Sequence, residues 1–244
     1  MDYNLIWLAA IVLISYTTQA MSGFGSTILA LTLGVHFYPM AAILPVLVAL
    51  DLLVNLYIVS RHHQYINQSF LYRTIIPTMG IGLIAGLVAF LYVNGPVLEK
   101  IFGFLVMGLS LREINRILGH KQGQQVLSNK TSAAYIVAAG FIHGIYASGG
   151  PLLIYAVSKQ KLSKSVFRST LSAVWLLFSI ILTAFYLVSG KLTADSMQLI
   201  MILLPVIIIG IITGEWLHHR IDEYRFKIFV FAVLLFAGLS IIIA

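Results

Sequence analysis

Residues 140–159 read "GFIHGIYASGGPLLIYAVSK" and lie in the middle of a chain otherwise rich in Leu, Ile, Val and Phe. Ser148, Gly149, Gly150 and Pro151 stand in a row there. A membrane-crossing helix tolerates such a run poorly, because Gly is entropically weak in a helix interior and Pro removes a backbone donor. The surroundings establish the setting. Of the 244 residues, 60% are hydrophobic and 9% charged, and the mean hydropathy is +0.98, against roughly 25% charged residues in an average soluble domain. Apolar segments of about 20 residues recur from end to end, long enough as helices to cross a hydrocarbon core of roughly 30 Å. The apolar runs are continuous rather than alternating, which selects helices over barrel strands. The chain reads as an all-α integral membrane protein with the lipid bilayer around it.

The formal net charge of +7 would suit a nucleic-acid binder, but the basic residues lie singly or in small groups between apolar segments. That distribution orients a membrane protein, so no nucleic-acid partner is expected. The absence of Cys removes disulfides, thiol catalysis and Cys-ligated metal from consideration. Met1-Asp2-Tyr3-Asn4 lacks the positive n-region of a signal peptide, and the small residues near Ala20 make no convincing cleavage site, so this N-terminus is expected in the mature protein.

The chain matches itself when slid by about 124 to 130 residues. Pro77, Gly82 and Gly86 fall on Pro205, Gly210 and Gly214 at an offset of 128. "KIF" at 100 recurs at 227 and "GLS" at 108 recurs at 238, while Gly25 of "MSGFGSTILAL" falls on Gly149 of "YASGGPLLIYA". Two membrane repeats are therefore expected, 1–118 and 131–244, joined by the polar linker 119–130, "GHKQGQQVLSNK". Each reads as one interrupted segment followed by three uninterrupted ones: about 4–37, 40–60, 70–93 and 96–114, then about 132–158, 166–189, 196–217 and 226–244. A single helix over 4–37 would be roughly 50 Å long at 1.5 Å per residue, too long for a bilayer without extreme tilt. It must break or fold back.

Charge asymmetry chooses between these. Arg61, Arg73, Arg112, Arg116, Lys121, Lys130, Lys159, Lys161, Lys164, Arg168, Arg220, Arg225 and Lys227 flank four connections, and only Lys100 and Lys191 flank the others. Placing the larger group in the cytoplasm follows the positive-inside rule and makes 131–158 begin and end on one side, as a broken, re-entrant hairpin. The connection near 61–73 is then inside and its counterpart near 190–195 outside. The fold expected is two inverted-topology repeats, each a broken helical hairpin plus three transmembrane helices, with both termini extracytoplasmic and the linker cytoplasmic.

Inverted repeats whose interrupted segments meet near the bilayer midplane describe many secondary transporters. Where a helix starts inside the membrane, its first N–H groups lack intrahelical partners and lie at the positive end of the helix dipole, so an anion can satisfy them. Pro151 suits the first helical position. Gly23, Gly25, Gly149 and Gly150 let backbone approach an oxyanion closely, and Ser22, Ser26, Thr27 and Ser148 add hydroxyl donors beside Phe24. A neutral donor cluster also avoids an ionised side chain at the helix centre, which costs about 2.5 to 3.5 kcal/mol on the insertion scale. Helix kinking and close packing are the alternative uses of the same residues.

The stretches "MSGFGSTILALTLG" (21–34), "GIYASGGPLLIYAVS" (144–158) and "FRSTLSAVWLLFSIILTAFYLVSG" (167–190), in this order and spacing, resemble the TauE/SafE sulfite exporter and anion permease family over essentially the whole chain. The resemblance implies export or uptake of a small sulfur-containing or carboxylate anion, such as sulfite, a sulfonate or sulfoacetate, across a bacterial inner membrane. Many members carry three consecutive glycines; here the first motif has only Gly23 and Gly25, with no Pro in "LALTLG". Substrate identity is therefore not carried over.

Asp51 and Asn55 lie one turn apart inside an apolar helix. An intramembrane carboxylate suits proton coupling, and a hydrogen-bonded packing pair is the alternative. His143 falls opposite Gln19 in the repeat, so a polar side chain precedes each break; His143 could carry protons or donate to substrate, or bond between helices. Arg168 opens a helix near the expected cytoplasmic face, as an access point for the anion or as an interfacial, topology-setting charge. Glu215, with His218, His219 and Arg220, is expected to pair or snorkel at that interface. His62-His63 and His218-His219 do not make a metal site, since adjacent helical residues point apart and no third ligand lies at ligand spacing. Pro77…Gly86 and Pro205…Gly214 read as packing grooves. "GIGLIA" (80–85) is no dinucleotide fingerprint, because no strand precedes it. With no HExxH, GxSxG or Cys, an enzyme is not expected, nor a cofactor. The reading is an anion permease working by alternating access and coupled to protons, a passive channel being the nearest rival. Substrate, direction, coupling ion and oligomeric state, a homodimer included, stay open.

Overall fold

The computed structural model describes residues 3–92, 95–119, 129–157, 162–218, 220 and 223–243. It is helical, with no strand among the described residues. The first half runs α1 (Tyr3–Ser22), α2 (Ser26–Gly34), α3 (Met40–His62), α4 (Gln68–Tyr92) and α5 (Gly95–Leu118). The second runs α6 (Asn129–Tyr146), α7 (Gly150–Val157), α8 (Lys164–Val188), α9 (Ala194–His218) and α10 (Glu223–Ile243). Tyr3–Ser22, Met40–Tyr65, Gln68–Tyr92, Ser165–Val188 and Ala194–His218 are each long and apolar enough to cross a membrane. Most of the expected linker, 120–128, lies outside the described residues, as do Lys159, Lys161 and His219.

The interruptions come late in their segments. α1 has 20 residues and α6 has 18, about 30 and 27 Å at 1.5 Å per residue. α2 and α7 that follow have only nine and eight. Each interrupted segment is thus one membrane-length helix followed by a two-turn helix that packs against it.

Both long helices end the same way. Gly23 (φ +83°) and Ala147 (φ +50°) take the left-handed backbone that stops an α-helix. The Gly23 N–H donates to the Gln19 carbonyl at 2.7 Å, and the Ala147 N–H to the His143 carbonyl at 2.8 Å. These paired positions are 124 apart, the offset that also relates Gly25 to Gly149.

The packing exchanges partners between halves. α4 packs on α6 and α9 on α1, so the same helix of each half lies on the opening helix of the other; α3 pairs with α8, and α5 with α10. Small residues make the approach close enough. A side chain at Gly82 or Gly86 would overlap the backbone of Val137 or Phe141, and one at Gly140 or Gly144 would overlap that of Met79 or Leu83. Gly214 presses likewise on Thr17, Ala20 and Met21 of α1. In lipid, where apolar faces gain little by meeting each other, van der Waals contact between small-residue faces drives association. The opposite faces are apolar and open: Ile81, Ile84, Val88 and Leu91 on α4, and Ile202, Ile208, Ile209 and Ile212 on α9.

One local feature has no counterpart in the sequence reading. α4 opens with a π-helical turn over Leu71–Ile75. Pro77 cannot donate to the Arg73 carbonyl, and its ring crowds that group, so a wider turn just before it relieves the clash.

Candidate functional site

Gln19, Ser26, Thr27, Asp51, Asn55, His143, Ser148 and Ser179 are all buried polar residues that cluster around the two breaks. A partly open cavity lies among them, with about 310 Å³ of space not filled by atoms, its mouth included. Both helix breaks reach it. Phe24, Gly25, Ser26, Thr27 and Ile28 come from the first, and Ala147, Ser148, Gly150 and Pro151 from the second, with Gln19, Asp51, His143 and Trp175 completing the wall.

The first break supplies a closed network. Ser26 opens α2 after Gly25, whose φ is +99° and which offers no side chain to cap the helix. The Gln19 amide fills that role, its Oε1 accepting from the Ser26 N–H at 3.3 Å. Gln19 Nε2 donates to Asn55 Oδ1 at 2.9 Å. Asp51 receives Ser26 Oγ at 2.7 Å, Asn55 Nδ2 at 2.9 Å and Ser179 Oγ at 3.0 Å. No Lys or Arg lies among the cavity-lining residues, so the Asp51 carboxylate rests on neutral donors alone.

The second break is less satisfied. His143 is 2% exposed and stacks on Trp175 with ring centroids 5.2 Å apart, yet neither ring nitrogen has a hydrogen-bond partner. Buried polar groups are almost always paired, so a vacant imidazole on a cavity wall is an available donor. Ser148 Oγ turns back to the Tyr146 carbonyl at 2.8 Å. Gly150 and Pro151 open α7 on the cavity wall.

Several expected residues stand just behind the cavity. Ser22 Oγ is engaged by the Thr18 and Phe24 carbonyls. Gly23 lies against Arg168, and its carbonyl accepts Trp175 Nε1 at 3.0 Å. Gly149 is packed against Ala139 and His143 with no room for a side chain. Asn55 reaches the site only through Gln19 and Asp51. Arg168 is 5% exposed and ion-paired with Glu215, which also lies 3.6 Å from His62 Nε2. Arg168 is neutralised behind the first break, and the pairing of Glu215 expected at that end takes this form.

Trp175, Ser179, Ile28 and Ala147 escaped the sequence reading. Ser179 was accessible to it: the offset of 128 that aligns Pro77 with Pro205 also aligns Asp51 with Ser179. The two equivalent positions meet where α3 crosses α8. Trp175 carries no such signal, since its counterpart at that offset is the ordinary core residue Leu47.

No curated protein and no solved structure matches the chain. The family model described as "Sulfite exporter TauE/SafE" matches residues 8–241. The breaks at 23–25 and 147–149, the buried polar centre between them and this match over nearly the whole length lead to one conclusion: the chain belongs to the TauE/SafE sulfite exporter family of membrane transporters.

Proposed function

We propose that this protein is a permease that moves a small organic or sulfur-containing anion, such as sulfite, a sulfonate or sulfoacetate, across the bacterial inner membrane by alternating access with proton coupling. The observation that carries the reading is the joint cavity: residues 24–28 and Ala147, Ser148, Gly150 and Pro151, far apart in sequence, line the same partly open space. The α7 N-terminus with Gly150, the Ser148 amide, Gly25 and Thr27 would present amide and hydroxyl hydrogens to the anion's oxygens, with Ser26, bonded to Gln19 and Asp51, holding the first break in place. Asp51 and His143 are the groups at the cavity able to bind and release protons. Ser22, Gly23 and Gly149 act as supports that set the backbone of the breaks, and Arg168 as a paired charge behind them. The exchange of helices between residues 1–118 and 131–244 supports two units that rock about the cavity, and the distribution of Lys and Arg supports their inversion, with both termini outside.

Gly150→Val tests the site. A β-carbon there meets only Trp175 Cζ2, at 3.8 Å, so the fold tolerates it while the added methyls enter the cavity. Anion-dependent flux in proteoliposomes should be abolished, and retained flux would refute the site. A pH gradient should drive accumulation of the anion; flux that only ever runs downhill would make the protein a passive channel. Thermal stabilisation by sulfite, sulfonates or short carboxylates would identify the ligand, because binding to the folded state raises its apparent stability.

A further inference from the structure

The cavity's two sides differ in a way that bears on the charge of what it binds. On one side the only ionisable acid of the wall, Asp51, is held by three neutral donors from α2, α3 and α8. On the other, His143 is buried with both ring nitrogens unpartnered, beside the start of α7. No cation on the wall balances a charge. Resting on the permease reading, we infer that the cavity takes up a singly charged oxyanion together with one proton, the proton residing on Asp51 and a neutral His143 donating to the anion.

The argument is one of charge. With Asp51 ionised the empty cavity holds one negative charge, and its neutral donors are arranged for one. A bound monoanion would set a second unit negative charge beside Asp51, which is only 4% exposed, and repulsion involving a buried charge is weakly screened. Protonating Asp51 as the anion arrives restores a single charge, so occupied and empty cavities carry the same charge and the pair moves without net charge transfer. A dianion would leave two negative charges even with Asp51 protonated, and is disfavoured.

The ionisable groups around these two residues do not offer another route. Among the described side chains on the helices packed against α3 they are Tyr3 and Tyr16 of α1, the Tyr16 hydroxyl donating to the Leu47 carbonyl, Glu99, Lys100, Arg112, Glu113 and Arg116 of α5, Arg168 and Tyr186 of α8, and Asp195, Glu215 and His218 of α9. α3 itself ends in Arg61 and His62, and α2 contributes none. Arg168 is held by Glu215, and Arg116 by Glu113 at 2.7 Å. His218 Nδ1 lies 2.6 Å from the Met21 carbonyl. Around His143, α4 carries Tyr72, Arg73 and Tyr92 at its two ends, and α8 presents Trp175 and Phe178. None of these other groups lines the cavity except Trp175, which does not titrate.

Anion binding and protonation are then reciprocal. The experiment is calorimetric titration of the purified full-length protein with methanesulfonate, whose charge does not change with pH, in buffers of different ionisation enthalpy, with sulfate as the dianion. Expected for the wild type is proton uptake approaching one per methanesulfonate, affinity falling about tenfold per pH unit once Asp51 is ionised, and no binding of sulfate. Asp51→Asn should bind methanesulfonate without proton uptake or pH dependence. Should that variant fail to fold, Ser179→Ala decides: losing one donor to the carboxylate shifts the onset of the affinity loss to higher pH. Methanesulfonate binding without proton uptake, sulfate binding of equal strength, or a pH profile unmoved by Ser179→Ala overturns the inference. Failure of the permease reading looks different, with neither anion bound nor carried by the wild type at any pH, and removes both.

Discussion

At the first break Gly23 and Gly25 both hold left-handed backbone, and the polar groups around them are spent on one another: Gln19 caps Ser26, Ser26 bonds Asp51, Asn55 bridges Gln19 and Asp51. At the second break the position matching Gly23 is Ala147, forced into the same conformation despite its methyl group, and the position matching Gln19 is His143, which bonds to nothing. The same left-handed helix stop, at Gly23 and at Ala147, thus serves two purposes. The first break is a rigid, saturated wall that holds a carboxylate, while the second keeps an open donor. A duplicated unit can diverge this way because the helix stop needs only a left-handed residue and a close neighbour, leaving the flanking side chains free to specialise.

Substitutions at matched positions should separate these roles. The largest effect is expected from Gly149→Val. Its new side chain would collide with the Ala139 carbonyl of α6, and forcing atoms into a filled space should cost about 3 kcal/mol or more. Size-exclusion chromatography after expression should show little folded protein, whereas Gly150→Val one residue on should elute normally; a normal Gly149→Val profile would show that the second break is looser than described.

Next comes His143→Phe, which keeps an aromatic ring against Trp175 but removes the unpaired donor. Losing a hydrogen bond to an anion corresponds to about a ten- to hundredfold drop in affinity with the melting temperature little changed. His143→Gln should recover part of it. The matching change Gln19→Leu should behave oppositely, lowering stability by leaving the Ser26 N–H and Asn55 Oδ1 unpaired.

Gly25→Ala should cost about 1 to 2 kcal/mol from the left-handed backbone alone, since a β-carbon there meets nothing nearer than Thr18 Cγ2 at 3.7 Å. Trp175→Phe keeps the stack on His143 and removes the bond to the Gly23 carbonyl, a loss of about 1 kcal/mol. The smallest effect, and the one of opposite sign, is expected at Ala147→Gly: relief of its φ of +50° should stabilise by up to about 1 kcal/mol, less the entropy glycine gains in the unfolded chain. Thermal melts of these three variants measured together would rank them, and a destabilised Ala147→Gly would contradict the strain assigned to that residue.

The membrane setting, the helices and the two interruptions were legible in the sequence because each depends on local chemistry. Apolar runs of membrane length specify spans, and Gly with Pro inside them specifies a stop. The Pro/Gly spacing also marked α4 and α9 as packing faces, since small residues at intervals of four leave a groove whatever lies against it. What lies against it was decided only by the tertiary structure: that α4 meets α6 while α9 meets α1 follows from how the halves intercalate, which no local pattern encodes. The same holds at the site. Asp51, Gln19, Ser26 and His143 were visible as polar residues in apolar helices, yet which of them would satisfy one another, and which would be left facing a cavity, depended on distances between helices, 36 residues apart for Gln19 with Asn55 and 128 for Asp51 with Ser179. Hydrogen bonds act over about 3 Å, so a shift of one helix turn, about 5.4 Å, would break every one of these contacts.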